Sequence, residues 1–385
     1  MLQNYLKSIY FCFFGILGIF LPFFNLYCYY LNFSGWQIGL LNTMGSLVAM
    51  VMPIWMSYVA ERRNLQSQIL QICAWGSAIT FASFLITDQF KHFFWIMVAY
   101  SVFRGPMIGL METMTMNTVQ KTNSHYGKIR IWGSIGFCIT SILMGYCLRH
   151  VSLKFSLYSM LLLLVVLAFF IHSMPIISLN RSINRVGLWH KSRATVIGFF
   201  SVAMLMQMSH AGYYNFFTIH MEKLGHSTSS IGLLWGWAVI AEIILLNQYK
   251  TWFGHVSYAS VIFLSVVAAW IRWLGLYYVE NFVIIFILQT LHCFTFGSFH
   301  VAAIGWIHEQ GSETLGQGLY SALSYGLGGA IGRLMSGYIF DHFPSSSIFL
   351  FSSIISLISI GIVLITFKPR ICNKSWESTK HIGSS

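Results

Sequence analysis

Residues Ile231 to Leu246 read IGLLWGWAVIAEIILL, an apolar run interrupted by a single carboxylate, Glu242. A run this apolar is typical of a helix that crosses a membrane. An acid near the middle of such a helix costs about 2.5 to 3.5 kcal/mol on insertion, so its presence there indicates a function. Because lipid offers a carboxylate neither water nor a counter-charge, we expect Glu242 to face the protein interior.

The whole chain has the composition of an integral membrane protein. Of its 385 residues, 56% are hydrophobic and only 8% are charged, against roughly 25% charged residues in soluble domains. The formal net charge of +12 comes from basic residues in short loops, which the positive-inside rule predicts, so we expect no nucleic-acid partner. The cysteines have no C-x-x-C spacing, and neither a disulfide framework nor a metal site is expected.

Apolar runs of the length needed for a span, about 20 residues, recur along the chain. Cutting at polar and Pro/Gly clusters predicts twelve spans, at residues 8–31, 36–59, 66–87, 93–116, 129–148, 152–174, 195–220, 229–250, 256–279, 281–307, 317–341 and 345–367. The longest non-apolar stretch lies at the centre. We therefore expect a six-helix half at 1–174, a cytoplasmic linker at 175–194, a second six-helix half at 195–367 and a cytoplasmic tail at 368–385.

Lysine and arginine indicate the orientation. If the N-terminus is cytoplasmic, the basic residues fall mostly on the cytoplasmic side, at Lys7, Arg62, Arg63, Lys121, Lys128, Arg130, Arg181, Arg185, Lys191, Arg193, Lys250, Lys368, Arg370, Lys374 and Lys380. The other side has Lys91, Arg149, Lys154 and Lys223. This asymmetry predicts cytoplasmic termini. Arg104, Arg272 and Arg333 fall within spans.

Three polar residues lie on successive predicted spans of the second half. Glu242 is on the eighth, Arg272 on the ninth and His292 on the tenth. At membrane depth each needs a polar partner, so we expect Arg272 to pair with Glu242 and His292 to exchange a proton near physiological pH. The alternative is structural, because membrane bundles also use polar pairs and satisfied histidines to hold helices together.

Aromatic residues accompany these groups and predict a cavity for a ring-bearing ligand with polar substituents. The predicted lining consists of Gln289 and Phe296 on the face of His292, of His210, Tyr213 and Tyr214 on one face of the seventh span, and of Trp235 on the face of Glu242. For the tyrosines, an aromatic belt at the membrane interface is the alternative. His300 lies off the face of His292, and we expect it to be structural.

The first half contributes Arg104 and Glu112, eight residues apart on the fourth span, or about 12 Å along a helix. Arg104 could hold an anionic group. Glu112 could belong to a cytoplasmic gate, or it could form a salt bridge with Lys128 or Arg130. We expect Glu61 and Arg62, in the loop after the second span, to belong to the same gate.

Several segments resemble a known family. They are Y-G-K-I-R-I-W-G-S-I-G from Tyr126 to Gly136, H-A-G-Y-Y from His210, A-E-I around Glu242, I-R-W around Arg272 and L-Q-T-L-H-C-F-T-F from Leu288. In these and in the order of its spans, the chain resembles bacterial 3-phenylpropionic acid transporters of the major facilitator superfamily, near the lactose permease and nucleoside:proton symporter branches. The loop S-Y-V-A-E-R-R-N is similar to the superfamily's G-x-x-x-D-R-x-G-R-R, with Glu61 for Asp and Arg62 kept.

This resemblance implies roles for the polar cluster. The lactose permease branch uses an acid, an arginine and a histidine on its eighth, ninth and tenth spans, and Glu242, Arg272 and His292 resemble these three. That branch places a proton-carrying carboxylate three residues after the histidine, where this chain has Thr295. The resemblance therefore leaves Glu242 or His292 as the proton carrier.

The expected protein is an all-α, twelve-helix transporter of the bacterial cytoplasmic membrane, acting as a monomer. We expect it to import a small organic solute with protons, an arylpropionate-like acid first and a nucleoside or oligosaccharide next. The proton gradient is the expected energy source, with no cofactor. An uncoupled transporter or exporter, and a transport-dead sensor, are alternatives. No catalytic motif such as H-E-x-x-H occurs, so we do not expect an enzyme.

Overall fold

The computed structural model describes residues 2–63, 65–122, 125–175, 192–311 and 313–367. Twelve helical segments follow one another in the described chain: α1 Leu2–Tyr30, α2 Gly35–Arg63, α3 Gln66–Leu85, α4 at 90–122, α5 Tyr126–Cys147, α6 Lys154–His172, α7 Arg193–Lys223, α8 Thr228–Phe253, α9 Tyr258–Tyr278, α10 Phe282–Glu309, α11 at 313–342 and α12 Ser347–Phe367. Each corresponds to one predicted span, with the ends differing by a few residues. Most of the predicted linker and the whole predicted tail lie outside the described residues.

The membrane fold predicted from the sequence is confirmed. By length and composition, eleven helices of the described chain could cross a membrane. Segment α11 is not among them, because its glycine, serine, tyrosine and arginine residues make it less apolar. It packs instead against α2 and α7 inside the bundle, where such residues cost less than they would against lipid.

Three stretches of π-helix interrupt the regular helices: Phe20–Phe24 in α1, Cys293–Ser298 in α10 and Ser321–Gly328 in α11. Such stretches are frequent at functional sites, because the wider turn redirects side chains. Pro22 lies inside the first of them. A turn at Gly105 and Pro106 likewise divides α4 into two helices, Phe90–Arg104 and Met107–Thr122.

Glycines allow helices to touch through their backbones. A Cβ atom at Gly328 or Gly332 would clash with the carbonyl oxygen of Met204 or Met208 in α7, and one at Gly105 would lie 2.9 Å from the Ala49 Cα atom. These positions fit the small-residue packing of membrane helices. At Gly109, which shares the four-residue spacing with Gly105, a Cβ would meet nothing within 4 Å, so spacing alone would misassign Gly109 to a helix contact.

We call the end of the bundle where α1 begins and α12 ends the termini face, and the end at the α1–α2 turn the opposite face. At the opposite face the first six helices meet the last six through glycine. A Cβ at Gly35 would lie 2.6 Å from the Gly337 carbonyl oxygen, and one at Gly145 would lie 2.9 Å from the Gly232 Cα atom. The α2–α11 and α5–α8 contacts therefore close this face.

Hydrogen bonds between the halves reinforce this closure. The Asp341 carboxylate at the end of α11 accepts from the backbone N–H groups of Gly35 and Trp36, at 2.6 and 2.8 Å. It thereby caps the first turn of α2, where the helix dipole favours negative charge. Nearby, the Tyr30 hydroxyl donates to Glu222 at 2.6 Å.

We expect Asp341→Asn to weaken the closed opposite face. An asparagine amide carries no charge and bonds only weakly to two N–H groups at once. Because Asp341 is exposed to solvent, we take the lost stabilisation of the closed face as about 1 kcal/mol. This corresponds to a roughly fivefold shift toward the open form. Spin labels at Ile86 and Tyr278, on the two halves at the opposite face, would report a larger population of long distances.

The matched control for this prediction is Asp88→Asn. Asp88 accepts from Tyr27 of the same half at 3.3 Å, so the substitution removes an opposite-face carboxylate without touching the contact between the halves. An equal change in the two distance distributions would contradict a specific role for Asp341.

Candidate functional site

A cavity of about 750 Å³ lies between the halves, a size within the range of small-molecule sites. It extends from the closed opposite face toward the termini face. Rings dominate its wall, from Phe13, Phe14, Phe20, Tyr100, Phe137, Tyr213, Tyr214, Trp235, Phe296 and Tyr325. Its ionisable residues are Arg104, Glu112, Arg130, Glu242, His292, His300 and Arg333.

Glu242 faces this cavity, as the sequence predicts, and its side chain is 19% exposed. Its Oε2 atom lies 3.7 Å from Nε2 of His292. On the other edge of the imidazole, Nδ1 lies 3.1 Å from Nη1 of Arg272. The three predicted residues therefore meet, with the histidine in the middle.

The expected direct pair between Glu242 and Arg272 is wrong. Within the described chain these two residues form no ion pair, because Arg272 points toward α10. Its Nη2 donates to Gln289 at 2.6 Å, and its Nη1 lies 3.3 Å from Thr295. Thr295, which stands where the lactose permease branch has an acid, thus serves as a hydrogen-bond partner of the guanidinium.

Arg272 is completely buried and does not line the cavity. Its guanidinium carbon lies 4.4 Å from the ring centre of Tyr213 and 4.7 Å from that of Trp273. Cation–π contacts of this kind stabilise a desolvated arginine. The Tyr213 hydroxyl also donates to Gln289 at 3.1 Å, so Tyr213 separates Arg272 from the cavity.

Besides Arg104, the sequence predicts six residues that line the cavity. Four of them do so: Tyr213, Tyr214, Trp235 and Phe296. Trp235 is fixed by a 3.0 Å hydrogen bond from its indole to Thr218, and Phe296 stacks on His292 with ring centres 5.5 Å apart. These contacts hold the rings in place, which favours binding of a flat ligand.

The expectation that His210 and Gln289 line the cavity is wrong. Both are buried behind the wall. His210 donates through Nδ1 to the Met206 carbonyl at 2.8 Å, and its Nε2 lies 3.2 Å from the Thr295 hydroxyl. Their hydrogen-bonding groups pair with other buried polar groups behind the aromatic wall.

In the first half, Arg104 and Glu112 both line the cavity. The Arg104 guanidinium lies 5.3 Å from the ring centre of Phe13. Glu112 interacts with Tyr126 and faces Arg130. The carboxylate thus lies near one of the two bases expected for a salt bridge, and its part in a cytoplasmic gate stays a prediction.

The sequence counts Arg130 with the basic residues of the cytoplasmic side, at the start of the fifth predicted span, and assigns it no role in the cavity. Arg130 lies in α5 with its guanidinium 4.0 Å from the ring centre of Phe14, and it lines the cavity. Its place in the Y-G-K-I-R-I-W-G segment, four residues into the helix, was the signal that could have revealed it. His300, expected to be structural, also lines the cavity and lies 3.4 Å from the Tyr320 hydroxyl.

Sequence reasoning also missed a chain of amides. Asn42 of α2 donates to Asn25 of α1 at 2.8 Å, and Asn25 donates to the Asn215 carbonyl of α7 at 3.2 Å. All three line the cavity, and the chain joins the two halves. Single amides within apolar runs, as in F-F-N-L-Y around Asn25, were the available signal.

The predicted gate residues at the end of α2 stay a prediction. The Nη1 atom of Arg62 donates to the Tyr58 hydroxyl of its own helix at 2.9 Å. The side chain of Glu61 lies outside the described part of the structure.

Helices in two groups of six around a central cavity that is closed at one face define the major facilitator fold of multi-pass membrane transporters. The chain belongs to the MFS_1 like family, whose model matches residues 4–351. The family resemblance seen in the sequence is thereby confirmed.

Individual relatives cover most of the chain. It is 26% identical over 350 residues to the Escherichia coli (strain K12) protein named "Probable 3-phenylpropionic acid transporter", covering 86% of this chain and 90% of that one. It is 20% identical over 367 residues to the maltose permease of Geobacillus stearothermophilus, covering 93% of each. The crystal structure of the nucleoside transporter NupG superimposes with a TM-score of 0.81 at 20% identity, over 96% of this chain and 100% of that one.

Proposed function

We propose that this transporter imports a small aromatic carboxylic acid, of which 3-phenylpropionate is the example, together with a proton. One observation carries the proposal: a single cavity joins a ring-rich wall, arginines and the Glu242–His292 pair. The printed name of the Escherichia coli relative supports the same substrate class.

The cavity wall suits each part of such a substrate. A phenyl ring could pack among Tyr213, Tyr214, Trp235 and Phe296, since aromatic pairs are favourable at ring-centre distances of about 4.5 to 7 Å. The carboxylate requires a cation, and the cavity wall provides arginines. Arg272 is not available to it, because Tyr213 lies between it and the cavity.

The hydrogen bonds favour Glu242 over His292 as the proton carrier. A guanidinium can only donate, so His292 Nδ1 accepts from Arg272 and the imidazole proton is on Nε2, facing Glu242. A second proton on His292 would bring two donors together at Nδ1. A proton on Glu242, by contrast, requires no change at Arg272, and His292 acts by orienting the carboxyl group.

We further propose that the protein works as a monomer in the bacterial cytoplasmic membrane, with both termini in the cytoplasm as the basic residues indicate. The opposite face is then external, and the structure is a form closed to the outside. The energy comes from the proton gradient, without a cofactor. Rocking of the halves would expose the same cavity to the outside.

Neutral substrates are the main alternative. The relatives and structural neighbours include nucleoside transporters and a maltose permease, and the amide chain of Asn25, Asn42 and Asn215 could bind hydroxyl groups. Charge balance separates the two classes. One proton moving with one monoanion carries no net charge, whereas one proton with a nucleoside or sugar carries one positive charge.

The deciding experiment is uptake of labelled 3-phenylpropionate into proteoliposomes under either a pH gradient or a potassium–valinomycin potential. We expect a pH gradient of one unit to drive roughly tenfold accumulation, since it is worth about 1.4 kcal/mol per proton. The potential should have no effect. Protein-free liposomes give the passive diffusion of the undissociated acid, which is subtracted.

Each other outcome selects an alternative. Potential-driven uptake of uridine or maltose would replace the acid by a neutral substrate. Equilibration of the acid without accumulation would indicate uncoupled transport, and accumulation only with the reversed gradient would indicate export. No saturable flux of any of these compounds would favour a membrane sensor.

A further inference from the structure

The arginines of the cavity wall differ in what balances their charge. Arg130 faces Glu112 of its own half, and its charge also acts on Glu242 across the cavity. The guanidinium of Arg333 lies back against Gly329, one turn earlier on its own helix, and its Nη1 atom is buried. A ligand in the cavity would therefore meet an arginine that is already compensated at Arg130 and one that is partly covered at Arg333.

Arg104 is the cavity arginine without a counter-charge. No carboxylate of the described chain forms an ion pair with its guanidinium. Its neighbours are the ring of Phe13, whose centre lies 5.3 Å from the guanidinium carbon, and the side chain of Tyr100, one turn earlier on α4. Both are neutral. Because a charge at membrane depth is costly unless it is paired, such residues mark substrate pathways in transporters.

The backbone of the first half holds Arg104 at the cavity wall. Helix α4 breaks directly after this residue, at the turn of Gly105 and Pro106. A Cβ at Gly105 would lie 2.9 Å from the Ala49 Cα atom of α2, so the two backbones touch at the break. The position of Arg104 therefore does not depend on a salt bridge, and its charge is available to a ligand.

We infer that Arg104 holds the carboxylate of the transported acid. The inference rests on the proposed function for the identity of that acid. Arg104 belongs to the first half, whereas the Glu242–His292 pair belongs to the second. The substrate anion and the proton therefore bind to different halves of the protein. An acid whose ring packs against α7, α8 and α10 while its carboxylate reaches α4 links the halves, which connects loading of the cavity to their rocking.

The test compares an acid with its neutral amide. Binding of 3-phenylpropionate and of 3-phenylpropionamide to the purified protein in nanodiscs is measured by calorimetry, for the wild type, Arg104→Gln and Arg104→Lys. The wild type should prefer the acid. Arg104→Gln should weaken acid binding roughly ten- to hundredfold, the usual value of a hydrogen bond to a charged group, while amide binding changes little. Arg104→Lys keeps the charge and should restore part of the preference.

Two further arginine variants provide the comparison. Arg149→Gln removes an exposed arginine in the turn after α5 and should leave both affinities unchanged. Arg130→Gln removes the compensated arginine of the cavity wall. If Arg130→Gln loses the preference for the acid and Arg104→Gln keeps it, the carboxylate binds at Arg130. The inference then fails, while the proposed function stands.

A second route supplies the missing carboxylate from within the protein. Ser101 lines the cavity three residues before Arg104 on the same helix, a spacing at which side chains are neighbours. In Ser101→Asp the new carboxylate should occupy the guanidinium and weaken acid binding more than amide binding. Ser101→Asn has the same size without the charge and should keep the wild-type ratio. Equal ratios in these two variants would overturn the inference, even if Arg104→Gln does not fold.

The inference is separable from the proposed substrate. If the wild type binds neither 3-phenylpropionate nor its amide, binding of benzoate, succinate and lactate is measured. Binding of one of these acids that is lost in Arg104→Gln would retain Arg104 as the anion site and replace the substrate. No binding of any anion by the wild type would overturn both.

Discussion

Replacing Glu242 by glutamine is expected to abolish accumulation of substrate while leaving exchange of labelled for unlabelled substrate intact. Glutamine has the size of a glutamic acid but cannot take up or release a proton. Coupling therefore stops, whereas the binding surface remains. The expected loss is the whole roughly tenfold accumulation per pH unit. Uptake and counterflow in the same proteoliposomes measure both quantities.

Glu280→Gln is the control for this result. Glu280 is an exposed acid in the turn before α10, so its replacement removes the same charge far from the cavity and should leave accumulation unchanged. Full accumulation of substrate in both Glu242→Gln and His292→Ala would contradict the proposed proton pathway. Loss of counterflow in Glu242→Gln would instead place Glu242 in substrate binding.

The second large effect is expected on stability, from Arg272→Met. Methionine fills part of the volume but leaves Gln289, His292 and Thr295 without the donor that now binds all three. Removing one partner from a buried charged network costs about 3 to 5 kcal/mol. We expect a decrease of about 3 kcal/mol in the free energy of unfolding, measured by titration with SDS in mixed micelles.

Arg149→Met supplies the comparison, because Arg149 is exposed in the turn after α5 and surface substitutions typically change stability by about 0.5 kcal/mol or less. Equal losses in the two variants would contradict the structural role of Arg272. Since Arg272 also holds His292 toward Glu242, Arg272→Met should reduce proton-coupled accumulation even where the protein remains folded.

Much of the fold could be read from the sequence. Apolar runs of membrane length fixed all twelve helical segments to within a few residues at most ends, because the bilayer allows few alternatives to a continuous helix. The polar residues inside those runs, Glu242, Arg272 and His292, were also recognisable, since each is costly at membrane depth unless it has a partner.

Which partner each residue takes depended on the tertiary structure. Helical periodicity predicts the side of a helix on which a residue lies, but not the rotation of that helix against its neighbours. Arg272 accordingly binds His292, Gln289 and Thr295 rather than Glu242, and His210 lies behind Tyr213 instead of beside it. The π-helical turns of α10 and α11, which no sequence period reveals, redirect these faces further.

The sequence by itself therefore determined the class of protein, the helices and the principal polar residues, because membrane insertion acts on each segment separately. Only the tertiary structure decided that His292 lies between Glu242 and Arg272 and that Arg130 belongs to the cavity. These are contacts between helices that are distant in the chain. Many ways of packing the twelve helices would satisfy the length and polarity requirements of each single helix, and only the tertiary structure shows which packing occurs.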